Sequence, residues 1–209
     1  TAMAKTASDR TDYSAAIGYY RRYLEYQPED QRAHYRLGKV HYQNQDVLSA
    51  RESLGQALRL DSLHVNTNLI LFQVLSAQGR IDSAALCLER VLAKRPADNK
   101  NRRLLADLYR RANHPRKAIR QYAQLAANLP GEPELAEIVS VLYEEVGEPA
   151  AALAWRRRML ENRTEAGGAD RDGRRDALEA IARLQESIGD VEAAAAALFE
   201  LAEVDTVSR

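Results

Sequence analysis

The residues that could do metal or nucleophilic chemistry are few and dispersed. His34 and His41 are suitable metal ligands, but in a helix their positions are separated by about 10 Å along the axis, too far to share one ion. Cys87 has no adjacent base or cation-rich turn and is expected to pack as a small hydrophobic residue. These side chains indicate neither a metal site nor a catalytic nucleophile.

The segment GGADRDG contains Asp170, Asp172 and Gly173, residue types found in calcium-binding loops. It lacks the remaining ligands and the closing glutamate that such a loop requires. A glycine-rich phosphate-binding loop is also absent from the sequence. We therefore expect no cofactor, no metal and no enzymatic activity.

Residues 99–122 form the most basic stretch of the sequence. Asp107 is its only acid, and Tyr109 and Tyr122 lie among eight cations: Lys100, Arg102, Arg103, Arg110, Arg111, Arg116, Lys117 and Arg120. Cations interleaved with aromatic rings are typical of nucleic-acid-binding surfaces. The whole chain, however, has 30 basic and 30 acidic residues, so this positive charge is offset elsewhere.

The composition is that of a soluble, folded protein, with 45% hydrophobic and 29% charged residues. A single cysteine excludes an internal disulfide and leaves the compartment undetermined, cytoplasmic or periplasmic. The sequence has no apolar run long enough to cross a membrane, and its N-terminal segment TAMAKTASDR lacks the apolar centre of a signal peptide. We expect no direct membrane insertion.

The strongest pattern is an internal repeat of 34 residues, the spacing from Ala16 to Ala50, which is called here the repeat period. Alanine recurs at this spacing five times, at Ala16, Ala50, Ala84, Ala118 and Ala152. Leucine recurs at Leu24, Leu58 and Leu92, and proline at Pro28, Pro96 and Pro130. Residues separated by the repeat period are therefore expected to occupy equivalent places in the fold.

Each repeat is predicted to be a pair of short helices, called here its first and second helix. Apolar residues follow helical spacing on both sides of a break, and Gly79, Gly147 and Gly189 lie at that break. Pro115 suits the first position of a second helix, where no N–H is needed. Alternating β-branched patterns are absent, so no strand is expected.

These features resemble the tetratricopeptide repeat (TPR) family, whose pattern combines small, apolar and aromatic positions at the same period. The basic stretch carries much of that pattern in Leu105, Ala106, Tyr109, Ala118 and Tyr122, and Pro130 follows it. The resemblance implies an all-α fold, a right-handed α-solenoid of stacked helix-turn-helix TPR units. It also implies that Tyr109 and Tyr122 pack within the repeat.

The repeat register predicts one continuous solenoid domain. Its segments are a partial first TPR at 1–30, mainly a second helix, then TPRs at 31–64, 65–98, 99–132 and 133–160, an insertion loop at 161–174 and a last TPR at 175–209. The insertion follows from Ala194, which lies farther from Ala152 than one repeat period. Trp155 suggests a slightly shorter turn in the fifth unit, and the ends suggest a segment of a longer repeat protein.

In TPR proteins, one face of the first helices lines a concave groove that holds a partner's peptide or helix. Carried over by repeat position, this face comprises Arg32, Tyr35, Lys39, Tyr42, Leu69, Gln73, Lys100, Arg103, Asp107, Arg110, Arg111, Glu134, Glu137, Glu144, Glu145 and Glu179. The resulting groove would be basic and aromatic toward the N-terminus and acidic toward the C-terminus. Alternatively, Tyr35 and Tyr42 pack against neighbouring repeats, and Arg103 or Arg110 only forms surface pairs with Glu137 or Glu144.

The leading functional hypothesis is a scaffold that binds another protein, as part of a larger assembly of the kind found in bacterial secretion, envelope or polymer export. The alternative is a nucleic-acid-binding module that uses the basic fourth repeat. The acidic repeat that follows argues against it, since its carboxylates would repel phosphates. The partner and the oligomeric state are not encoded in any motif of the sequence.

Overall fold

A computed structural model describes the backbone of residues 2–165 and 171–206, and side chains within 13–161 and 172–204. In these ranges the regular structure is helical, without strands. The helices are α1 Ala2–Tyr26, α2 Gln31–Gln43, α3 Val47–Leu60, α4 Val65–Ala77, α5 Ile81–Lys94, α6 Asn99–Arg111, α7 Pro115–Asn128, α8 Pro133–Glu145, α9 Pro149–Glu165, α10 Arg171–Ser187 and α11 Val191–Thr206. The all-α prediction is confirmed, and none of these helices has the length and apolarity needed to cross a membrane.

The chain divides into two compact units, unit 1 at Thr1–Asn101 and unit 2 at Arg102–Arg209. In unit 1, α2 packs against α1, α3 and α4, and α5 packs against α4. In unit 2, α7, α8, α9 and α10 each pack against the next helix in the chain. Consecutive packing of this kind is the arrangement of an all-α helical-repeat solenoid. Its right-handedness stays a prediction.

The turn between the two helices of a pair follows the repeat. A residue with positive φ recurs at Gln45 (62°), Gly79 (68°), Asn113 (56°), Gly147 (74°) and Gly189 (82°). The residue after each one donates its N–H to a carbonyl five positions back, from Asp46 to His41 and from Arg80 to Leu75 for example, at 2.9 Å. This is the hydrogen bond of a Schellman motif, in which a left-handed residue ends the helix. The three predicted glycine breaks are confirmed, and Gln45 and Asn113 complete the series.

Exchanging residues at two of these turns should change stability in opposite directions. Gln45→Gly is expected to stabilise the fold and Gly79→Ala to destabilise it, each by about 1 kcal/mol, because a side chain is disfavoured at positive φ. A Cβ at Gly79 would meet no atom within 4 Å, so the effect is conformational and not steric. Urea unfolding followed by circular dichroism measures both changes. Equal effects of the same sign would contradict this explanation.

The fifth helical pair keeps the repeat register. Gly147 lies one repeat period after Asn113 and also has positive φ, and the buried Ala152 lies one repeat period after the buried Ala118. The expectation of a shorter turn is therefore wrong. Trp155 is half-buried beside Arg158, whose guanidinium carbon lies 5.1 Å from the ring centroid.

The insertion lengthens two helices. α9 and α10 each have 17 residues, whereas α2–α8 have 13 or 14. Both ends of the predicted loop at 161–174 are thus helical, since residues 161–165 contain no proline or glycine to stop α9. The centre of that segment, at 166–170, lies outside the described residues, as does most of the calcium-loop-like segment. At the N-terminal end, α1 is one long helix where a partial repeat was predicted at 1–30.

Small residues set the distance between paired helices. Of the repeated alanines, those at 50, 84, 118 and 152 are buried and Ala16 is half-buried. Ala194, which follows the insertion, is also buried. In the first complete pair, Gly38 of α2 faces Leu54 of α3, and a Cβ added to Gly38 would lie 2.6 Å from Leu54 Cγ and 3.0 Å from the Leu54 amide nitrogen. The pair therefore packs with glycine against leucine, a contact that leaves no room for a side chain on α2.

Candidate functional site

The first helices begin at caps that also follow the repeat. Asp30 accepts a hydrogen bond from the Ala33 N–H at 3.0 Å. At equivalent positions, His64 Nδ1 accepts from the Thr67 N–H at 3.3 Å and Asp98 accepts from the Asn101 N–H at 3.1 Å. The bond from Ala33 is the main reason why the pKa of Asp30 lies below its usual value. These caps fix the residues at which α2, α4 and α6 begin.

The outward face of α2 in unit 1 is called here the α2 surface and comprises Arg32, Tyr35, Lys39 and Tyr42. Arg32, Lys39 and Tyr42 are exposed, and Tyr42 retains 36% of its accessible area. Tyr35 is half-buried and contacts the ring of His64, with centroids 5.2 Å apart and planes at 66°. Of the two tyrosines, Tyr35 thus packs against the next repeat, and Tyr42 is the one available to a partner.

The neighbouring first helix extends this surface. α4 contacts α2 directly, and on α4 the predicted residues Leu69 and Gln73 are half-buried and exposed, respectively. Lys100, at the start of α6, is exposed. Among the described residues, Arg32 and Lys39 form no salt bridge, and the Arg32 charge contributes to the lowered pKa of the nearby Asp30.

The tyrosines of the basic stretch are internal. Tyr109 and Tyr122 are buried, and the Tyr122 hydroxyl donates a hydrogen bond to Asp107. Burial, followed by this hydrogen bond, raises the pKa of Tyr122 above its usual value. The expectation that both tyrosines pack within the repeat is confirmed, and neither ring can stack on a nucleobase.

Half of the eight cations of the stretch also have partners within the chain. Arg102 donates to Gln121 at 3.1 Å, Arg103 pairs with Glu132, and Arg116 pairs with Glu148 at 2.7 Å. The Lys117 ammonium lies 5.1 Å from the centroid of the Tyr109 ring. Two neighbours, Arg110 and Arg111, are exposed and form no salt bridge among the described residues.

The acidic residues of the next repeat contact arginines of α9 and α10. Arg156 Nη1 lies 3.0 Å from Glu137, and Arg156 Nη2 lies 4.0 Å from Glu144. Arg183 donates to Glu144 at 3.0 Å. The alternative in which Arg103 or Arg110 pairs with Glu137 or Glu144 is not observed among the described residues, since arginines of α9 and α10 pair with these glutamates instead.

Arg156 is only 6% exposed and lies one repeat period after the buried Tyr122. The same repeat position holds the buried Leu54 and Leu88 in earlier pairs, so the arginine occupies a core place. Its position in the repeat is the one signal that could have revealed this role. Glu134 and Glu145 remain exposed without a salt bridge in the described part of the chain, and Glu179 pairs with Arg175 at 3.1 Å.

Adjacent glutamates on α8 should respond differently to charge reversal. Glu144→Lys is expected to cost about 1–3 kcal/mol of stability, because it would set a cation against Arg183 and the buried Arg156. Glu145→Lys, at an exposed position, should change the free energy of unfolding by less than about 0.5 kcal/mol. Urea unfolding of the two variants makes the comparison, and equal costs would show that the Arg156 and Arg183 contacts contribute nothing.

The two histidines and Cys87 have structural surroundings. His34 and His41 line a cleft of about 360 Å³ among α1, α2 and α3, but His34 Nε2 is 2.7 Å from the Pro28 carbonyl and His41 Nδ1 is 3.2 Å from Asp46. Burial is the main cause that lowers the pKa of His41, and it raises the pKa of the buried Cys87 to about 11. In the described residues no group of three or more side chains is arranged to hold a metal ion.

Similar proteins place the fold in a known family. The family model "Tetratricopeptide repeat" matches residues 1–64, 71–113 and 103–168, which together exceed half of the chain. A crystal structure of MamA is 22% identical with a TM-score of 0.51 and covers 75% of this chain and 92% of its own. The structure of YrrB, "a TPR protein with an unusual peptide-binding site", is 14% identical with a TM-score of 0.51 and covers 88% of this chain and 91% of its own. No curated protein is significantly similar. The chain belongs to the tetratricopeptide repeat family.

Proposed function

We propose that the chain is a non-enzymatic scaffold and that its α2 surface binds a peptide or helix of another protein. The observation that carries this proposal is the combination of Arg32, Lys39 and Tyr42 on one exposed face, with both charges free of salt bridges within the described residues. Tyrosine and arginine are enriched at protein interfaces, because each combines apolar area with hydrogen bonding. Fold stability alone gives no reason for these three side chains to lie together.

The family supports a binding role of this kind. YrrB has the same fold class and is described as having a peptide-binding site. At 14% identity the likeness supports the fold alone, so the choice of the α2 surface depends on the residues of this chain. Its chemistry favours an acidic segment with an apolar side chain that can lie on Tyr42.

The expected contribution of Arg32 and Lys39 is to select partners by their charge. Oppositely charged surfaces raise the association rate and exclude wrong partners more than they raise affinity. In unit 2, the exposed Arg110 and Arg111 of α6 and Glu134 and Glu145 of α8 are the predicted site residues still free to act in this way. Arg103, Glu137 and Glu144 are already held in salt bridges, so their main role is in packing. A role in secretion, envelope or polymer export stays a prediction.

The nucleic-acid hypothesis has less support from the site. Its aromatic residues, Tyr109 and Tyr122, are buried, and three of its arginines are bonded to neighbouring side chains. Binding to phosphates would depend on the remaining exposed cations of the stretch, Lys100, Arg110, Arg111 and Arg120. A binder of several phosphates loses affinity steeply with salt, so absence of oligonucleotide binding at low salt would exclude this function.

A peptide-display selection tests the scaffold proposal. A library of short random peptides is selected on the wild-type chain and, in parallel, on the R32E/K39E/Y42A variant. A second variant, K94E, is the matched control, because Lys94 is an exposed cation on a second helix. We expect acidic sequences that are enriched by the wild type and by K94E but not by the triple variant. Enrichment that is the same on all three proteins would contradict the proposal.

A further inference from the structure

The cleft among α1, α2 and α3 of unit 1 has a polar lining. Its volume is about 360 Å³, within the range of about 300–1,000 Å³ that is usual for pockets that hold small molecules. Apart from Leu24 and Leu37, its described lining side chains are polar. They come from all three helices, so the folded pair and α1 together build the cleft.

The repeat provides an internal control for the most buried of these polar residues. His41 is 2% exposed, and one and two repeat periods later the same position holds Leu75 and Tyr109, which are 5% and 3% exposed. A buried imidazole brings two ring nitrogens that need hydrogen-bond partners, whereas leucine brings no polar group. Packing of the helical pair therefore gives no reason for a histidine at this position.

The two histidines of the cleft each keep one nitrogen lone pair. His34 Nε2 is 2.7 Å from the Pro28 carbonyl, which can only accept, so the hydrogen of the neutral ring lies on Nε2 and the lone pair on Nδ1. His41 Nδ1 lies 3.2 Å from the Asp46 carboxylate, outside hydrogen-bond geometry, and the negative charge favours the hydrogen on Nδ1 and the lone pair on Nε2. Among the described residues, neither His34 Nδ1 nor His41 Nε2 receives a hydrogen bond. The cleft thus contains two neutral acceptors.

Side chains of opposite charge border the same cleft. Arg21 on α1 and Glu52 on α3 are both exposed, and neither forms a salt bridge within the described part of the chain. Burial is the main cause of the lowered pKa of His41, and of these two charges Arg21 lowers that pKa further and Glu52 raises it. The two charges therefore act on one buried ring without neutralising each other.

We infer that this cleft binds a free α-amino acid with an aliphatic side chain. An ammonium group has three donors and no acceptor, which matches the Glu52 carboxylate and the lone pairs of the two histidines. The carboxylate of the same molecule pairs with Arg21, and its side chain lies against Leu24 and Leu37. A zwitterion thus uses both charges, whereas a simple amine would leave Arg21 without a counterpart and a simple acid would leave Glu52 without one.

The site shares no residue with the α2 surface. The inference therefore goes beyond the proposed function, and its failure would leave that proposal unchanged.

Ligand-observed NMR titrations on the full chain test the inference with leucine as the probe. Two analogues of leucine are titrated in parallel: isocaproate, which lacks the amine, and isoamylamine, which lacks the carboxylate. We expect saturable binding of leucine and affinities at least about tenfold lower for both analogues, because each loses charge-assisted hydrogen bonds. Absence of saturable leucine binding would overturn the inference. So would equal affinity for isoamylamine, which would show that the amine alone is recognised, as in a lysine side chain of another protein.

Two variants place the binding in the cleft. His41→Leu introduces the residue found one repeat period later, so this variant should stay folded, and it should bind leucine at least about tenfold more weakly than wild type. Glu52→Gln should weaken binding to a similar extent, whereas Glu186→Gln, at an exposed position of α10 outside the cleft, is the matched control and should bind as wild type does. Circular dichroism checks that each variant is folded. Unchanged leucine affinity in either His41→Leu or Glu52→Gln would overturn the inference.

Discussion

Arg156→Ala is expected to lower the free energy of unfolding by about 2–4 kcal/mol, because it removes a buried side chain and leaves Glu137 without its partner. The arginine stem fills a core position that holds Leu54, Leu88 or Tyr122 in other pairs. Its guanidinium reaches Glu137 and Glu144 on α8. Packing and charge are therefore lost together in this variant. Urea unfolding followed by circular dichroism measures the change.

Arg156→Leu separates the two contributions. Leucine is the residue found at this repeat position in two other pairs, so the core stays filled while the charge is removed. Glu137 keeps 43% of its side-chain area in water, where it can be solvated without the arginine. We expect Arg156→Leu to cost less than half as much as Arg156→Ala. Equal costs would mean that the ion pair, and not the filling of the core, dominates at this position.

Gly38→Val is expected to destabilise the chain by about 1–3 kcal/mol through overpacking, although valine has the better helix propensity. The new Cβ would lie 2.6 Å from Leu54 Cγ and 3.0 Å from the Leu54 amide nitrogen. The leucine side chain can turn away, but the backbone nitrogen moves only if α3 moves as a whole. Relief therefore requires separation of the first complete helical pair.

A second substitution tests whether the clash with Leu54 is the cause. Leu54→Ala alone should cost about 2–5 kcal/mol, as expected for a fully buried leucine. In the double variant G38V/L54A, the added valine can occupy space that the missing leucine leaves. The combined loss in the free energy of unfolding should therefore be smaller than the sum of the single losses by at least about 1 kcal/mol. Strict additivity would show that Gly38 is required for another reason.

The fold was predictable because one period fixes several positions at once. The alanines predicted the buried contact within each pair, and the glycines predicted three turns of left-handed backbone. Gln45 and Asn113 were missed as turn residues because neither is a glycine, although asparagine tolerates positive φ. Each lies one repeat period from Gly79, and that spacing was the available signal. The period therefore predicts backbone conformation better than residue type does at these turns.

The candidate site was predictable only in part. The repeat positions carried over from the family select Arg32, Lys39 and Tyr42, which are exposed, whereas Tyr35 on the same face is half-buried against His64. Whether these residues bind a partner stays a prediction. Salt bridges depend on how neighbouring helices pack, so the partners of Arg103, Glu137 and Glu144 could not be deduced from one helix. Arg156 was overlooked because arginine is rarely buried, and only its neighbours show that its charge is paired.

The measurement that tests the scaffold proposal most directly is the affinity of a selected acidic peptide for three proteins: wild type, R32E/K39E/Y42A and K94E. Fluorescence anisotropy of the labelled peptide at physiological salt gives the three dissociation constants. Binding at the α2 surface predicts that the triple variant is weaker than wild type by at least about tenfold, or about 1.4 kcal/mol, and that K94E equals wild type. The same dissociation constant for wild type and the triple variant, with both proteins folded, would contradict binding at the α2 surface.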